Sequence, residues 1–296
     1  MANLLKKFVF VVVLLAAMPL EAQQSSIDPA IAGKTWNRYT VDNFVILSLD
    51  RRQGEFLRRD LPRIKQWSIS RWGLPDYSYQ TECRIQVVPD KELMQKLFQL
   101  NDTHIEIQLD QAGREKNRVV WLLLDGNAAE SLPAALLRFS LADFERMNNV
   151  KFGLWAYRGM AVLNMTLPQI RARFSTLSSR IAKDNKMFFS KTIFTMDRVK
   201  FEKYDAATKE LFDTEAAIVC LMLRKEFGQK NFHKLLMAGG SDGALRDVLG
   251  FENYASFDIV FKRYMTNLSN DVITNKTPDH YLEIVPAYQP VEARRK

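Results

Sequence analysis

Histidine and cysteine are scarce in this sequence. Its 296 residues include three His (His104, His233 and His280) and two Cys (Cys83 and Cys220). Two cysteines exclude a disulfide-dense scaffold and any four-cysteine zinc module. Three histidines so widely spaced exclude a His-rich metal array and any local pair of imidazole ligands. Phosphate-loop and nucleophile-elbow patterns are missing too: there is no G-x-S-x-G, no P-loop and no G-x-G-x-x-G. The one Gly-rich stretch, Gly239-Gly240-Ser241-Asp242-Gly243, lacks a following Lys and a preceding strand. It reads as a turn between helices. Composition does not point to disorder, since 47% of residues are hydrophobic and 26% charged.

What is present begins with a leader-like segment. In residues 1–22, Lys6 and Lys7 precede an apolar run from Phe8 to Leu20, and Ala22 suits the position before a cleavage site. This is the layout of a secretory signal peptide. The run falls short of the roughly 20 residues that span a bilayer. Neither Val119–Leu124 nor Ala216–Leu223 is long enough to do so. A secreted or periplasmic location with no stable membrane span after cleavage is therefore expected. Export permits disulfides, and the sequence leaves open whether Cys83 and Cys220 pair or remain buried thiols. The net charge of +8 comes from basic residues scattered among acids on apparent helix faces, which suits a solvated surface rather than a nucleic-acid groove.

Periodicity divides the rest into a mixed half and a helical half. Residues 23–42 form an extended lead-in. An N-terminal α/β subdomain, 43–130, carries strand patterns at Phe44–Leu49, Arg84–Val88, Ile105–Leu109 and Val119–Leu124. A helix is expected from Gly54 to Trp72, either kinked at Pro62 or starting at Asp60, and ended by Gly73. Lys91–Leu100 reads as a short helix and Asp110–Arg118 as a hairpin loop. The sum is a sheet of about four strands with helices on one face. In a helical lobe, 131–270, helices are expected at Leu132–Phe144, Leu154–Asn164 and Phe212–Glu226, the last apolar almost all round and capped by Gly228. Between them lies a polar, basic stretch from Arg171 to Arg198 holding Phe188 and Phe189. Ser241 or Asp242 can cap one later helix and Ser256 the last, whose Phe257, Val260, Phe261 and Tyr264 share a face. Residues 271–296, with Pro278, Pro286 and Pro290, form a tail.

The order of these features resembles the exported peptidase MA-like domain, of the gluzincin zinc-metallopeptidase type, over roughly residues 43–268. Trp72-Gly73-Leu74-Pro75 matches that family's turn after its long helix, and Cys83-Arg84-Ile85-Gln86-Val87 its C-x-I-x-V strand. Leu132-Pro133 stands where the family begins its LP-HExxH helix. Trp155-Ala156-Tyr157-Arg158-Gly159-Met160-Ala161 stands where it has W-x-x-E-G-x-A. Phe227-Gly228, Gly240 to Leu245, Leu249-Gly250 and Phe257 to Tyr264 fit its closing helices. The resemblance implies an α+β fold of thermolysin-like architecture.

It also locates a chemistry that these residues cannot perform. A gluzincin needs two imidazoles at i and i+4, a Glu beside the first as general base, and a Glu from the next helix as third zinc ligand. Aligning the LP pair puts Ala134 and Arg138 at the His positions, Ala135 at the base and Arg158 at the third ligand. A second register, with Phe139 and Asp143 as ligands and Ser140 as base, fares no better. Alanine donates nothing, and a permanently charged guanidinium repels a cation. Asp143 and Glu145, at i and i+2, face different directions and do not form an acid–base pair. The expectation is a pseudopeptidase without zinc or other cofactor. It would act as a peptide- or protein-binding, or structural, module of the envelope. The alternative is a hydrolase using a different constellation in the same cleft. Candidate cleft residues are Arg158, Arg138, Trp155 and Tyr157, suited to a carboxylate or other anion. In the competing view, Arg158 only pairs with Asp143 or Glu145 and fills the old metal site.

Overall fold

The computed structural model describes residues 35–76, 81–100, 103–109, 115–124, 128–165, 167–184 and 187–273. The leader-like segment, most of the lead-in, the tail beyond 273 and His280 lie outside the described residues. The chain is an α+β protein: a mixed five-stranded sheet in the N-terminal part, then a mostly helical C-terminal part.

Strand β1 (Asn37–Val41) turns back through Asp42 and Asn43 into β2 (Phe44–Ser48), forming an antiparallel pair. This corrects the extended lead-in: Tyr39 and Val41 alternate inward with polar neighbours outward, a strand pattern. Helix α1 (Arg51–Ser70) starts one turn earlier than expected, because the Asp50 carboxylate accepts the amide of Gln53 as N-cap. It runs through Pro62. Asp60, the cap in the alternative reading, is buried in the helix and bound by Arg59.

Strand β3 (Cys83–Val88) lies parallel to β2. After α2 (Lys91–Phe98) come β4 (His104–Leu109) and β5 (Glu115–Leu123), paired antiparallel, with β5 parallel to β3. The sheet order is β1-β2-β3-β5-β4. The apolar run from Val119 to Leu123 is covered on both faces, which explains why it shows no alternation. Val120 and Leu122 face the main helices, whereas Val119, Trp121 and Leu123 pack with Met94 and Leu97's neighbours Leu93 and Phe98 around α2. Helices thus lie on both faces rather than one.

Helix α3 (Ala128–Asn148) forms the seam of the molecule. Its Leu132, Ala135, Leu136 and Phe139 pack on the sheet with Leu57, Leu61 and Ile64 of α1. Its Leu137 and Leu141 belong to the helical core. That core is built on α4 (Leu154–Leu163) crossing α8 (Ala206–Ala238). The crossing is close because of Gly159: a Cβ there would collide with the Ala216 carbonyl and come within 2.8 Å of Cys220 Sγ. Around it stand α5 (Leu167–Asp184), α6 (Ser190–Thr195), α7 (Arg198–Glu202), α9 (Asp242–Leu249) and α10 (Tyr254–Ile273). The polar, basic stretch from Arg171 to Arg198 is therefore largely helical. Phe188 packs on Tyr204 and Phe212, while Phe189 is exposed.

Every residue of α8 from Phe212 to Leu223 is buried. Each fully buried Leu, Ile or Phe contributes about 1.5–3 kcal/mol, so this segment anchors the lobe. At Gly228 the backbone leaves helical geometry (φ 79°, ψ 161°), which divides α8 in two where the sequence places a cap. Ser241 Oγ accepts the Ala244 amide and starts α9. Asn253 and Ser256 bond reciprocally at the start of α10, so Asn253 precedes the expected Ser256 as the capping residue. Among the described residues no helix is long and apolar enough to cross a membrane.

Candidate functional site

The four positions aligned with the zinc chemistry fall on α3 and α4, and the fold puts them in different surroundings. Ala135 is fully buried against the sheet, and Ala134 is half-buried. Trp155 is fully buried too, edge-on to Phe194 and Phe232 at centroid distances of 5.1 and 6.4 Å. It therefore packs the core of the lobe and offers no surface to a ligand. Arg138, Tyr157 and Arg158 are half-buried and share one electrostatic environment.

That environment is rich in guanidinium groups. Burial lowers the pKa of Arg138, and the guanidiniums of Arg198 and Arg158 lower it further, with Tyr157 acting in the opposite sense. Three arginines from three helices thus converge. Arg138 has no hydrogen bond or carboxylate partner among the described residues. Arg158 does: its Nε donates to Asp213 Oδ1 at 2.6 Å and its Nη2 to Asp213 Oδ2, a bidentate pair. Burial raises the Asp213 carboxyl pKa, and Arg158 partly opposes this. The Arg158 guanidinium also lies 4.8 Å from the centre of the Phe201 ring. Lys209 approaches the same ring at 5.7 Å and donates to Glu202 at 3.0 Å. Glu202 is held below its ordinary range, chiefly by that bond, with Arg198 and Arg158 contributing.

Tyr157 faces the other way. Its hydroxyl donates to Glu145 Oε2 at 2.6 Å, and burial with this bond pushes the phenol pKa up. Glu145 also accepts the amide of Phe152. Asp143 is fully buried and takes a fork from Arg118, Nη1 to Oδ2 at 2.9 Å and Nη2 to Oδ1 at 2.5 Å, plus Arg146 at 2.9 Å. Both acids expected to pair with Arg158 are thus engaged elsewhere, and Asp213 takes their place. Arg118, read as part of a hairpin loop, is a strand residue with no exposed surface.

His104 is exposed on β4 against Trp121. His233 is half-buried on the second part of α8, with Nε2 at 2.5 Å from the Trp72 carbonyl. Among the described residues no three His, Cys, Asp or Glu side chains come together as a metal-binding group. Cys83 and Cys220 are buried in separate cores. The residues missed from sequence are Arg198, Lys209 and Asp213. Asp213 left a signal, since an acid in a buried helical run needs a partner or gives up its charge. Comparison of the chain with family models and with curated proteins finds no match.

Proposed function

We propose that this protein is a non-catalytic binding module, a peptidase-like scaffold of the cell envelope or secreted space. It takes a carboxylate-bearing peptide segment at Arg138, Arg158 and Arg198. One observation carries this reading: Arg138 is held half-buried beside two like charges with no acid of its own. Asp213 already closes Arg158, so Arg138 is the open member, and a ligand carboxylate would accept its guanidinium fork with both oxygens. The buried Phe201 ring backs the Arg158 guanidinium. The thermolysin-like architecture belongs to the same proposal. It rests on the matched order of motifs, with Arg138 and Arg158 brought together on adjacent helices as the aligned ligand positions would require.

Calorimetric titration of acidic peptides against wild type, Arg138→Ala and Arg158→Ala tests it. The expected result is at least ten-fold weaker binding in Arg138→Ala, and weaker binding of all peptides as salt rises. Equal affinity in wild type and Arg138→Ala sinks the proposal.

A further inference from the structure

Arg71 follows the last turn of α1 and is only 8% exposed. None of its Nε, Nη1 and Nη2 atoms has a hydrogen-bond partner among the described residues. Arg224, half-buried on α8, leaves Nε and Nη1 in the same condition. The two guanidiniums flank one indole: Arg71 lies 5.7 Å and Arg224 4.9 Å from the centre of Trp72, and Arg71 lies 4.6 Å from Trp67. Burial lowers the pKa of both guanidiniums, and the Arg224 charge lowers that of Arg71 further.

The surroundings are fixed. Trp72 Nε1 donates to Asn164 Oδ1 at 2.9 Å, and Asn164 Nδ2 donates to the carbonyls of Ser68 and Pro133. The Trp72 carbonyl meets His233, and Gly73 adopts φ 61° with Gln229 packed where a Cβ would stand. Aromatic faces stabilise the flat sides of the guanidiniums, but the N–H donors lie in the guanidinium plane and are not satisfied by stacking. Buried donors without acceptors are costly, and two unpaired cations are costlier. In-plane donors from two forks are the arrangement that recognises an oxyanion.

We infer that Arg71 and Arg224, set against Trp67 and Trp72, form a second anion site, which takes a phosphate group, free or carried on a small ester. Two positive charges match a dianion; a monocarboxylate leaves one uncompensated. The part-exposed Arg224 is the side of approach. This site is separate from the Arg138 cluster and does not depend on the function proposed for it.

The test is thermal unfolding and tryptophan fluorescence of the full chain, titrated with inorganic phosphate against chloride at constant ionic strength. A saturable rise in Tm with a matching fluorescence change is expected, and acetate should bind at least ten-fold more weakly. A parallel titration with glycerol phosphate separates the sources: a response marks an ester-accepting site, and its absence marks a free-ion site. Arg224→Met should abolish the saturable response and Arg224→Lys should weaken it, while Arg138→Ala leaves it intact. No saturable response in wild type overturns the inference. So does an equal response in Arg224→Met, or loss in Arg138→Ala with retention in Arg224→Met. These arms use Arg224, so they remain decisive if Arg71→Met fails to fold.

Discussion

Arg118 and Arg71 are both buried arginines, one in the seam between sheet and helices, the other where α1 ends against α8. At the seam, Arg118 forks onto Asp143, touches the Phe139 carbonyl at 3.4 Å and lies over the Phe139 ring. At the corner, Arg71 has two indoles and a second cation. The difference teaches what a buried charge is for. Arg118, wholly buried and closed by a carboxylate, joins two layers and has little left to offer a ligand. One held among aromatic faces with open donors keeps its recognition chemistry available.

The sharpest way to break this comparison is to remove one partner at the seam. Asp143→Ala should destabilise by about 3–5 kcal/mol in urea unfolding, since it strands Arg118 without its fork. The double variant Arg118→Met with Asp143→Leu should recover most of that loss. At the corner, Arg71→Met in phosphate-free buffer should cost far less than Asp143→Ala. Equal losses at the two places would erase the distinction.

Glu215 extends the comparison to acids. It is fully buried in α8; its Oε2 accepts the Phe188 amide, while Oε1 lacks a partner. Burial raises its pKa from 4.5 to about 8. The folded carboxyl therefore stays protonated over a range where the unfolded one ionises. Its stabilising contribution is complete below about pH 4.5 and is lost as pH rises through 8. Glu215→Gln should flatten that part of the stability–pH profile. Relative to wild type it should gain on the order of 2 kcal/mol between pH 5 and 9. An unchanged slope would show that Glu215 is ionised in the fold.

Gly159→Ala tests the packing that supports both arginine environments. The added methyl meets the Ala216 carbonyl and Cys220 Sγ, so a loss of about 1–3 kcal/mol is expected by thermal unfolding. Smallest is Ser241→Ala, which removes the bond that starts α9 and should cost about 1 kcal/mol.

Much of the architecture was legible because it rests on local periodicity. The alternation at Ile105–Leu109 declares a strand, and the apolar face of α1 and the all-round apolar run of α8 declare both their element and their burial. Gly73 and Gly228 have positive φ where helices were expected to end. What was not legible depends on pairing across long stretches of chain. β1 becomes a strand because β2 offers it a partner, and Arg118 joins the core because Asp143, 25 residues later, waits for it. Of the candidate site, Arg138, Tyr157 and Arg158 are brought together, whereas Trp155 is drawn into the core. Tryptophan at that position follows the helix's inward face, where Ala156 and Met160 are also buried. The converging Arg198 comes from a short helix that carries no periodic signal of its own.

The two cysteines, buried in different cores, give the molecule a pair of internal clocks. Cys83 reports on the sheet and Cys220 on the helical lobe, where burial also pushes its thiol pKa up and keeps it unreactive while the lobe is closed. Each can be modified only when its own part of the molecule opens. The order in which a thiol reagent labels them therefore records whether the sheet and the helices come apart together or one before the other.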